Sequence, residues 1–366
     1  MSSQRRIIGV CVTVIAALML SQMILYFVSQ RNIISMIYAG IDVIREYEDS
    51  FNSLNVSFHS TEQHSKATKK ITKISATTKI PYTKTTKNGT KSLPMCPSTP
   101  PNRVGRLATF KKILSFEQLE KELFNVKKGG RYIPVECKTD QRVAVIIPYR
   151  NRTGHLKSVL HNLHSMLMKQ QIDYGIFVIE QAGNNTFNRG VLLNIGYAES
   201  IKTYNYTCFI FHDVDLIPED DRIYYGCGHN PRHLAVAMNK YNYRVVYPKY
   251  FGGVSQLPKT AIQKINGCSN LYFGWGGEDD DLYERLLKAG FTIERYSLEI
   301  SRYRMIKHTR EKTNAVNPQR FKLLKGCTSR MQKDGLNSLK YKLLKIQHHK
   351  LYTNILVEVR KEDYGL

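Results

Sequence analysis

Downstream of residue 141, short uninterrupted hydrophobic runs alternate along the chain with segments of helical period. The runs cover residues 142–148, 174–180 and 208–211, and helices are expected from about Thr153 and over 188–200. An uninterrupted apolar run is typical of a strand that is buried on both faces of a parallel sheet. This alternation of strands and helices predicts an α/β domain with a mainly parallel central sheet flanked by helices.

Two further helices are predicted from the signals at their ends. One covers residues 116–126, with Ser115 as N-cap and the Lys-Lys-Gly-Gly sequence at 127–130 as its stop. The other covers residues 281–289, behind a run of four carboxylates. Acidic residues favour a helix N-terminus through capping and the helix dipole.

The amino terminus carries a long uncharged segment, residues 7–28, behind a short tail, residues 1–6, that contains Arg5 and Arg6. About 20 apolar residues are enough to cross a bilayer as a helix, and positive charge in front of them favours a cytoplasmic amino terminus. A cleaved signal peptide is the alternative, but its apolar core would be only about 7–15 residues long. We therefore expect an uncleaved single-span signal anchor, with the remaining chain in the lumen or outside the cell.

Residues 29–95 are expected to form a stem between this anchor and a folded domain at 96–366. Within the stem, residues 60–93 contain 13 Ser or Thr and eight Lys, but few large apolar side chains. Such a composition buries too little surface to offset the entropy of ordering, so we expect disorder there. The secretory interpretation agrees with four sequons for N-glycosylation, at Asn55, Asn88, Asn184 and Asn205.

The formal net charge of +24 calls for an anionic partner or environment. A nucleic-acid binder is one such class, but no compact Lys/Arg block stands in a nucleic-acid-binding motif. A luminal location would also remove that partner, so we expect no nucleic acid to bind. The seven cysteines form no Cys-x-x-Cys pair, which argues against a zinc ribbon.

Asp213 and Asp215 emerge at the end of the third predicted strand, separated by Val214. In open α/β sheets, ligands bind at the carboxyl ends of the strands. Two carboxylates at this spacing suit a hard divalent cation, although Asp-x-Asp is also common as a plain polar strand exit. Arg150 and Arg152 follow the first strand, where arginines either bind phosphate oxygens or face solvent.

Residues 274–281 read Gly-Trp-Gly-Gly-Glu-Asp-Asp-Asp and contain Trp275, the single tryptophan of the chain. Three glycines allow the backbone to bend tightly and a ligand to come close. Helix capping would account for one or two of the carboxylates, but four in a row repel one another. We therefore expect this acidic cluster to serve a function.

Several segments, in matching order over roughly residues 96–360, resemble the β-1,4-galactosyltransferase family of Golgi glycosyltransferases. They include Val-Ile-Ile-Pro-Tyr-Arg-Asn-Arg (145–152), Phe-His-Asp-Val-Asp-Leu-Ile-Pro (211–218), the acidic segment 274–281, Met-Ile-Lys-His (305–308) and Asn-Pro-Gln-Arg-Phe (317–321). The resemblance implies a GT-A-like nucleotide-sugar transferase fold on the luminal side of the Golgi membrane, behind a transmembrane helix and a stem. It also implies Mn²⁺-dependent, inverting transfer of galactose from UDP-galactose to the 4-hydroxyl of terminal N-acetylglucosamine on glycoproteins or glycolipids.

The same resemblance assigns residues to catalysis, metal and donor. Asp279 matches the catalytic base, and Glu278 is its acidic neighbour. Asp215, Met305 and His308 match the Mn²⁺ ligands, among which the soft thioether suits manganese better than magnesium; on sequence alone, Met305 would be assigned to the core and His308 to the surface. The residues implied in donor binding are Pro148, Arg150, Arg152, Phe187, Arg189, Asp213, Val214, Lys240, Tyr250, Gly253 and Trp275.

The resemblance further implies an acceptor site, two disulfides and a lid. The bulky Tyr250 favours UDP-galactose over UDP-N-acetylgalactosamine, because it crowds the 2-substituent of the donor sugar. Residues 306–326 match a loop that closes over the bound donor. The family's disulfides correspond to Cys96–Cys137 and Cys208–Cys227, which leaves the state of Cys268 and Cys327 open. The implied acceptor residues are Tyr247, Trp275, Asp279, Asp280, Arg320, Phe321 and Leu324.

Two alternatives remain beside this reading. An enzyme of the same fold could use another acceptor, such as a glucosyl lipid or a xylosyl core, or could donate N-acetylgalactosamine. A membrane-anchored sugar-binding protein without catalysis belongs to a different class, and the intact Asp215, Met305, His308 and Asp279 argue against it. The sequence leaves open whether the chain forms a homodimer.

Overall fold

The computed structural model of the protein describes residues 92–307 and 314–366, which belong to one compact unit, Lys87–Leu366. The predicted tail, the anchor, most of the stem, Asn55, Asn88 and His308 lie outside the described residues. Within the described ranges, no helix has the length and apolar character needed to cross a bilayer. The domain boundary at residue 96 stays a prediction.

The strands of the described residues form two sheets. The larger sheet has the order β10-β11-β2-β1-β3-β7-β5-β8, and the smaller one has the order β4-β9-β6. In chain order the strands are β1 (Arg142–Tyr149), β2 (Asp173–Gln181), β3 (Cys208–His212), β4 (Leu216–Pro218), β5 (Arg232–His233), β6 (Ala237–Met238), β7 (Val254–Pro258), β8 (Glu294–Arg295), β9 (Arg302–Met305), β10 (Lys342–His348) and β11 (Thr353–Glu358).

The helices of the same residues are mostly short. They are α1 (Phe116–Glu122), α2 (Thr153–Lys169), α3 (Arg189–Thr203), α4 (Lys259–Lys264), α5 (Glu278–Lys288), α6 (Arg320–Lys325) and α7 (Cys327–Arg330). Short 3-10 turns occupy Asn239–Tyr241, Leu336–Ser338 and Glu362–Tyr364.

Two helices differ from their predicted bounds. α1 begins after the predicted N-cap Ser115, whose side chain accepts a hydrogen bond from Gln118 N, but it ends at Glu122 because the backbone leaves helical geometry at Leu123. α5 begins at Glu278 and not at residue 281. Gly277 takes a left-handed φ of 95° at the N-cap, so all four carboxylates fall in the first turn.

The prediction of a mainly parallel sheet is correct for the centre of the large sheet only. β11, β2, β1 and β3 run parallel, whereas β10 and β7 pair antiparallel with β11 and β3. Beyond β7, β5 is antiparallel to it and parallel to β8, so the sheet is mixed. The long apolar runs mark the central strands, while two-residue strands such as β5 and β8 give no comparable signal in the sequence.

The central strands bury a hydrophobic cluster on each face. Val143, Val145 and Ile147 of β1 share one cluster with side chains of α2, and Ala144 and Ile146 share the other with side chains of α3. Successive side chains of a strand point to opposite faces, which is why β1 is hydrophobic from Val143 onward. The two helices therefore fix the strand ends that carry the predicted site.

A buried network of four charged side chains anchors α5. Arg285 and Asp281 are fully buried and pair at 2.5 Å, and Arg285 also pairs with Asp334 at 3.1 Å. Arg330 adds ion pairs of 2.6 Å to Asp281 and 3.0 Å to Asp334. Burying a charge costs several kcal/mol unless it is paired, so these four residues depend on one another.

We predict that Arg285→Met lowers the free energy of unfolding by about 3–5 kcal/mol, because Asp281 and Asp334 would lose a buried counter-charge. Arg360→Met is the matched control, since Arg360 pairs with Asp363 at 2.9 Å on the surface, where ion pairs contribute little. Urea denaturation of both variants measures the difference. Equal losses would contradict this account of the network.

Candidate active site

The carboxyl ends of β2, β1 and β3 lie side by side and carry most of the residues predicted to bind the donor. Arg150 and Arg152 follow β1, Arg189 opens α3 behind β2, and Asp213 follows β3. The acidic first turn of α5, Glu278–Asp281, joins them through contacts with Arg189. Neighbouring parallel strands thus deliver these side chains to the sheet edge at which α/β folds bind ligands.

Arg189 holds two carboxylates of the site. Its Nε donates to Oδ1 of Asp213 at 2.7 Å, and its Nη1 lies 4.0 Å from Oε1 of Glu278. Burial lowers the pKa of Arg189, but the charges of Asp213 and Glu278 outweigh that effect, and the net shift is upward. The guanidinium therefore remains charged. Oε2 of Glu278 is buried and has no hydrogen-bond partner among the described residues.

Asp279 follows Glu278 in the first turn of α5 and is the most strongly perturbed carboxyl of the site. Burial, followed by the charges of Glu278 and Asp280, raises the pKa of Asp279 to about 8, while Arg189 opposes the shift. Burial also raises the pKa of Asp213 and that of Glu278, again against Arg189. A carboxyl with a pKa near neutrality is suited to accept and release a proton.

The small sheet brings Asp215 and Met305 together. β4 pairs antiparallel with β9 so that Leu216 lies opposite Met305, and Ile306 N donates to the carbonyl of Asp215 at 2.8 Å. Oδ1 of Asn239 accepts a hydrogen bond from Met305 N at 2.7 Å. Two predicted metal ligands that are far apart in sequence are therefore neighbours in the fold.

These two residues offer an oxygen and a sulfur to a divalent cation. Asp215 supplies a carboxylate, Met305 supplies a thioether, and the third predicted ligand, His308, lies outside the described residues. Within residues 92–307 and 314–366, no group of three or more His, Cys, Asp or Glu side chains could hold a metal. The neighbouring carboxylate of Asp213 is bound by Arg189.

The arginines after β1 lie against the segment that leads into α3. The guanidinium carbon of Arg150 is 5.0 Å from the ring centre of Phe187, and Nη1 of Arg150 donates to the carbonyl of Asn185 at 2.6 Å. Arg152 is among the charges that oppose the rise in the pKa of Asp213, which burial drives. Two cations and an aromatic face therefore lie near these strand ends, and arginines of this kind can bind the phosphates of a nucleoside diphosphate.

A cavity of about 510 Å³ separates the segment 247–249 from α5. Its wall brings together three predicted acceptor residues, Tyr247, Asp280 and Leu324. The hydroxyl of Tyr247 donates to Oδ1 of Asp280 at 2.8 Å, and Nζ of Lys249 donates to Oε1 of Glu284 at 2.7 Å. Most of the exposed surface of the cavity wall is apolar, and these two hydrogen-bonded pairs supply its polar groups.

Trp275 is about half exposed, at 49% of its surface, beside the described part of the predicted lid. Trp275 N donates to the carbonyl of Ala315 at 2.8 Å, and Asn317 N donates to the carbonyl of Trp275 at 3.0 Å. The flanking glycines have φ between 93° and 104°, a region that other residues rarely adopt. Arg320 packs on this turn, while Phe321 is exposed.

Three predicted donor residues differ in their exposure. Lys240 is exposed, and its ammonium lies 5.5 Å from the ring centre of Tyr241. Pro148 and Val214 are buried at the ends of the strands. Asp281, the fourth carboxylate of the acidic cluster, turns inward and pairs with the buried guanidinium of Arg285.

The structure contains both implied disulfides and exposes two of the predicted sequons. The disulfides Cys96–Cys137 and Cys208–Cys227 are both formed, and Cys268 and Cys327 are buried thiols. Asn184 and Asn205 are exposed.

Gly252 is a site residue that the sequence analysis did not single out. A Cβ at Gly252 would lie 2.3 Å from Oδ2 of Asp279 and 2.9 Å from Cε2 of Tyr250. Gly253, with a φ of 79°, has its carbonyl bound by Asp213 N at 3.0 Å. The Gly-Gly pair after Tyr250-Phe251 was the available signal, because adjacent glycines mark a close approach of backbone to other atoms.

Sequence comparison gives two adjoining family matches. A sequence model of the "N-terminal region of glycosyl transferase group 7" matches residues 96–228. A model of the "N-terminal domain of galactosyltransferase" matches residues 232–309. The matches span the three strand ends, the acidic cluster and β9.

Individual relatives agree with these matches. The chain is 50% identical to β-1,4-galactosyltransferase 1 of Mus musculus over 275 residues, which is 75% of this chain and 69% of the relative. It is 49% identical to β-1,4-galactosyltransferase 4 of Cricetulus griseus over 264 residues, 72% of this chain and 76% of the relative.

A solved structure shows the same fold. The catalytic domain of Drosophila β-1,4-galactosyltransferase 7 in complex with xylobiose superposes with a TM-score of 0.52 at 26% identity, covering 60% of this chain and 94% of that one. A mutant of that protein was solved with manganese, UDP-Gal and xylobiose, and it matches with the same TM-score at 25% identity and the same coverage.

We predict a pH-dependent stability contribution from Asp279 in the metal-free protein. Its pKa rises from an ordinary 3.8 to about 8 on folding, so the folded chain holds a proton that the unfolded chain has released. That contribution is complete below about pH 4 and is lost as the pH rises to about 8, by up to about 1.4 kcal/mol per pH unit.

Asp279→Asn has no proton to lose at this position and should therefore gain stability relative to the native chain across this range. Urea denaturation of both proteins in a chelator between pH 5 and pH 8 measures the difference. Two parallel pH profiles would show that Asp279 titrates normally.

Proposed function

Because this chain belongs to the β-1,4-galactosyltransferase family, it is an enzyme that transfers galactose, and we propose that it uses Mn²⁺ and the residues of the candidate site to do so. The donor is UDP-galactose. The acceptor is the 4-hydroxyl of a terminal N-acetylglucosamine on a glycoprotein or glycolipid, and the product carries a β-1,4 linkage. The observation that carries the proposal is that Arg189 joins Asp213 to Glu278 at the start of α5, while the pairing of β4 with β9 brings Met305 to Asp215, two residues after Asp213.

Asp215, Met305 and His308 would hold the Mn²⁺ in this proposal. When bound, the cation neutralises the charge that develops on the departing diphosphate. Arg150, Arg152 and Phe187 bind the nucleotide, and Arg189 keeps Asp213 oriented toward the donor sugar. Oxygen ligation with one soft ligand suits manganese among the divalent ions.

Asp279 acts as the base. It accepts the proton of the acceptor hydroxyl while that oxygen attacks the anomeric carbon of galactose. With a single base and no protein nucleophile, the reaction is one displacement, and the anomeric configuration inverts from α to β. Tyr247, Asp280, Arg320, Phe321 and Leu324 line the acceptor site, and Trp275 covers the apolar face of the acceptor ring.

We also propose a luminal Golgi location behind the predicted anchor at 7–28. The support is chemical: disulfides persist in oxidising compartments, and both bridges are formed. The exposed sequons at Asn184 and Asn205 are open to glycosylation there. The resemblance of the sequence to a family of single-span Golgi enzymes implies the same location.

The solved structure with a similar fold points to a second class of acceptor. The Drosophila β-1,4-galactosyltransferase 7 domain was solved with xylobiose, so a xylosyl acceptor is the alternative that merits a direct assay. The higher identity to β-1,4-galactosyltransferases 1 and 4 favours N-acetylglucosamine for this chain.

The test is a screen of donors and acceptors with and without Mn²⁺, on the native chain and on Tyr250→Leu. We predict that the native chain transfers galactose to N-acetylglucosamine only with a divalent cation. Removing the bulk of Tyr250 should raise the use of UDP-N-acetylgalactosamine relative to UDP-galactose by about tenfold or more, as expected when steric exclusion sets specificity.

Tyr204→Leu is the control, because Tyr204 lies at the far end of α3 and binds Asp173. Transfer to a xylosyl or glucosyl acceptor instead would replace the proposed acceptor. An unchanged donor ratio in Tyr250→Leu would refute the proposed role of Tyr250.

A further inference from the structure

The loop Tyr250–Gly253 is held at every backbone carbonyl. Its four carbonyl oxygens all accept hydrogen bonds at 2.5–3.0 Å. In order along the loop, the donors are Arg295 Nη2, Ser255 Oγ, His233 Nε2 and Asp213 N. A loop fixed at each peptide has little freedom to move, so the groups that bind it also fix the side chain of Tyr250.

His233 reaches the loop from the interior. It is 1% exposed, and its Nε2 lies 2.9 Å from the carbonyl oxygen of Gly252. Burial lowers the pKa of His233 to about 3, so the ring is neutral. Its proton is then on Nε2, where it can be donated to the carbonyl, and Nδ1 is buried with no hydrogen-bond partner among the described residues.

The ring of His233 also supports Tyr250 directly. The two ring centres are 5.2 Å apart at an interplanar angle of 79°, an edge-to-face contact. An edge-to-face aromatic pair stabilises its geometry by about 0.5–1.5 kcal/mol beyond the area it buries. His233 therefore contacts both the backbone and the side chain that define this part of the donor site.

Arg295 binds the same loop from the neighbouring strand. β5 and β8 are parallel, and His233 lies directly opposite Arg295 in their register. Nη2 of Arg295 donates to the carbonyl of Pro248 at 2.7 Å and to that of Tyr250 at 2.9 Å. One cross-strand pair thus binds the loop at both ends of the Tyr250-Phe251-Gly252 sequence.

The loop also lies against the base without free space. The methyl group of an alanine at position 252 would be only 2.3 Å from Oδ2 of Asp279. A shift of the loop by less than an ångström would therefore change the separation of Tyr250 from Asp279.

We propose that His233 and Arg295 are positioning residues that set donor-sugar selectivity, by holding Tyr250 at a fixed distance from Asp279. This inference rests on the proposed role of Tyr250 as the residue that excludes a bulky 2-substituent. Neither side chain touches the donor; both act through the loop. Loss of either should let Tyr250 move away and admit N-acetylgalactosamine.

The experiment compares His233→Phe with His233→Gln. Phenylalanine keeps a ring against Tyr250 but has no donor for the carbonyl of Gly252, whereas the amide of glutamine can donate to it. We expect His233→Phe to raise kcat/KM for UDP-N-acetylgalactosamine relative to UDP-galactose by about fivefold, the effect of one lost hydrogen bond. His233→Gln keeps the hydrogen bond to Gly252 but loses the edge-to-face contact with Tyr250, so it should shift the ratio less than His233→Phe.

Two further variants separate selectivity from folding. Arg295→Met removes the hydrogen bonds of Arg295 to the loop. Because this side chain is exposed, the variant should fold, and it should also raise the use of UDP-N-acetylgalactosamine relative to UDP-galactose. His164→Phe is the matched control. His164 is another buried histidine, in helix α2, and its Nε2 lies 2.8 Å from the backbone carbonyl oxygen of Leu351. It should lower the melting temperature without changing the donor ratio.

Tyr250→Leu is measured in the same series. Suppose that Tyr250→Leu shifts the donor ratio, whereas His233→Phe and Arg295→Met leave the ratio unchanged, as His164→Phe does. The positioning role is then refuted, and the role of Tyr250 stands. If Tyr250→Leu leaves the ratio unchanged, the proposed role of Tyr250 fails, and this inference fails with it.

Discussion

The guanidinium of Arg189 is the interaction on which the site depends. Asp213 leaves a strand and Glu278 and Asp279 open a helix, and burial raises the pKa of all three carboxyls. Without a buried cation between them, their mutual repulsion and loss of water would push these elements apart. Arg189 binds Asp213 at 2.7 Å and approaches Glu278 to 4.0 Å. Asn188 fixes Arg189 in place by capping α3, accepting a hydrogen bond from Val191 N at 2.9 Å.

A second charge network keeps the acidic helix in position. Asp281 belongs to the same run of four carboxylates but turns inward, where Arg285 and Arg330 neutralise it. The carboxylates in the first turn of α5 therefore have different surroundings. Asp281 pairs with Arg285 and Arg330, whereas the others lie towards Arg189 and the cavity. Carboxyls with raised pKa values destabilise the folded chain at neutral pH, and burial raises the pKa of Asp281 as well.

The sequence predicted the parts of this arrangement that leave a local signal. Continuous apolar runs identified β1, β2 and β3, and the Asp213-Val214-Asp215 exit and the glycines around Trp275 identified the two halves of the site. It did not reveal the antiparallel edges, because β5 and β8 are only two residues long. It placed the start of α5 three residues late, because capping by a left-handed Gly277 depends on a φ angle that the residue type permits but does not dictate.

Contacts between distant segments were beyond the reach of pattern alone. Met305 meets Asp215 through the pairing of β4 with β9, and Asn239 supports it from a 3-10 turn. His233 lies in no recognisable sequence motif. Its contact with the loop Tyr250–Gly253 arises from tertiary packing. The resemblance to a known family supplied Met305, whereas Asn239, Gly252 and His233 needed the structure.

We infer that Asp279, although it lies among other carboxylates, serves proton transfer and neither folding nor donor binding. The direct measurement is galactose transfer by Asp279→Asn under conditions in which calorimetry shows UDP-galactose bound with Mn²⁺. We predict that Asp279→Asn binds the donor as the native chain does. Its turnover should fall by about 10²–10⁴-fold, which is the contribution of a positioned general base. Turnover close to that of the native chain would contradict it.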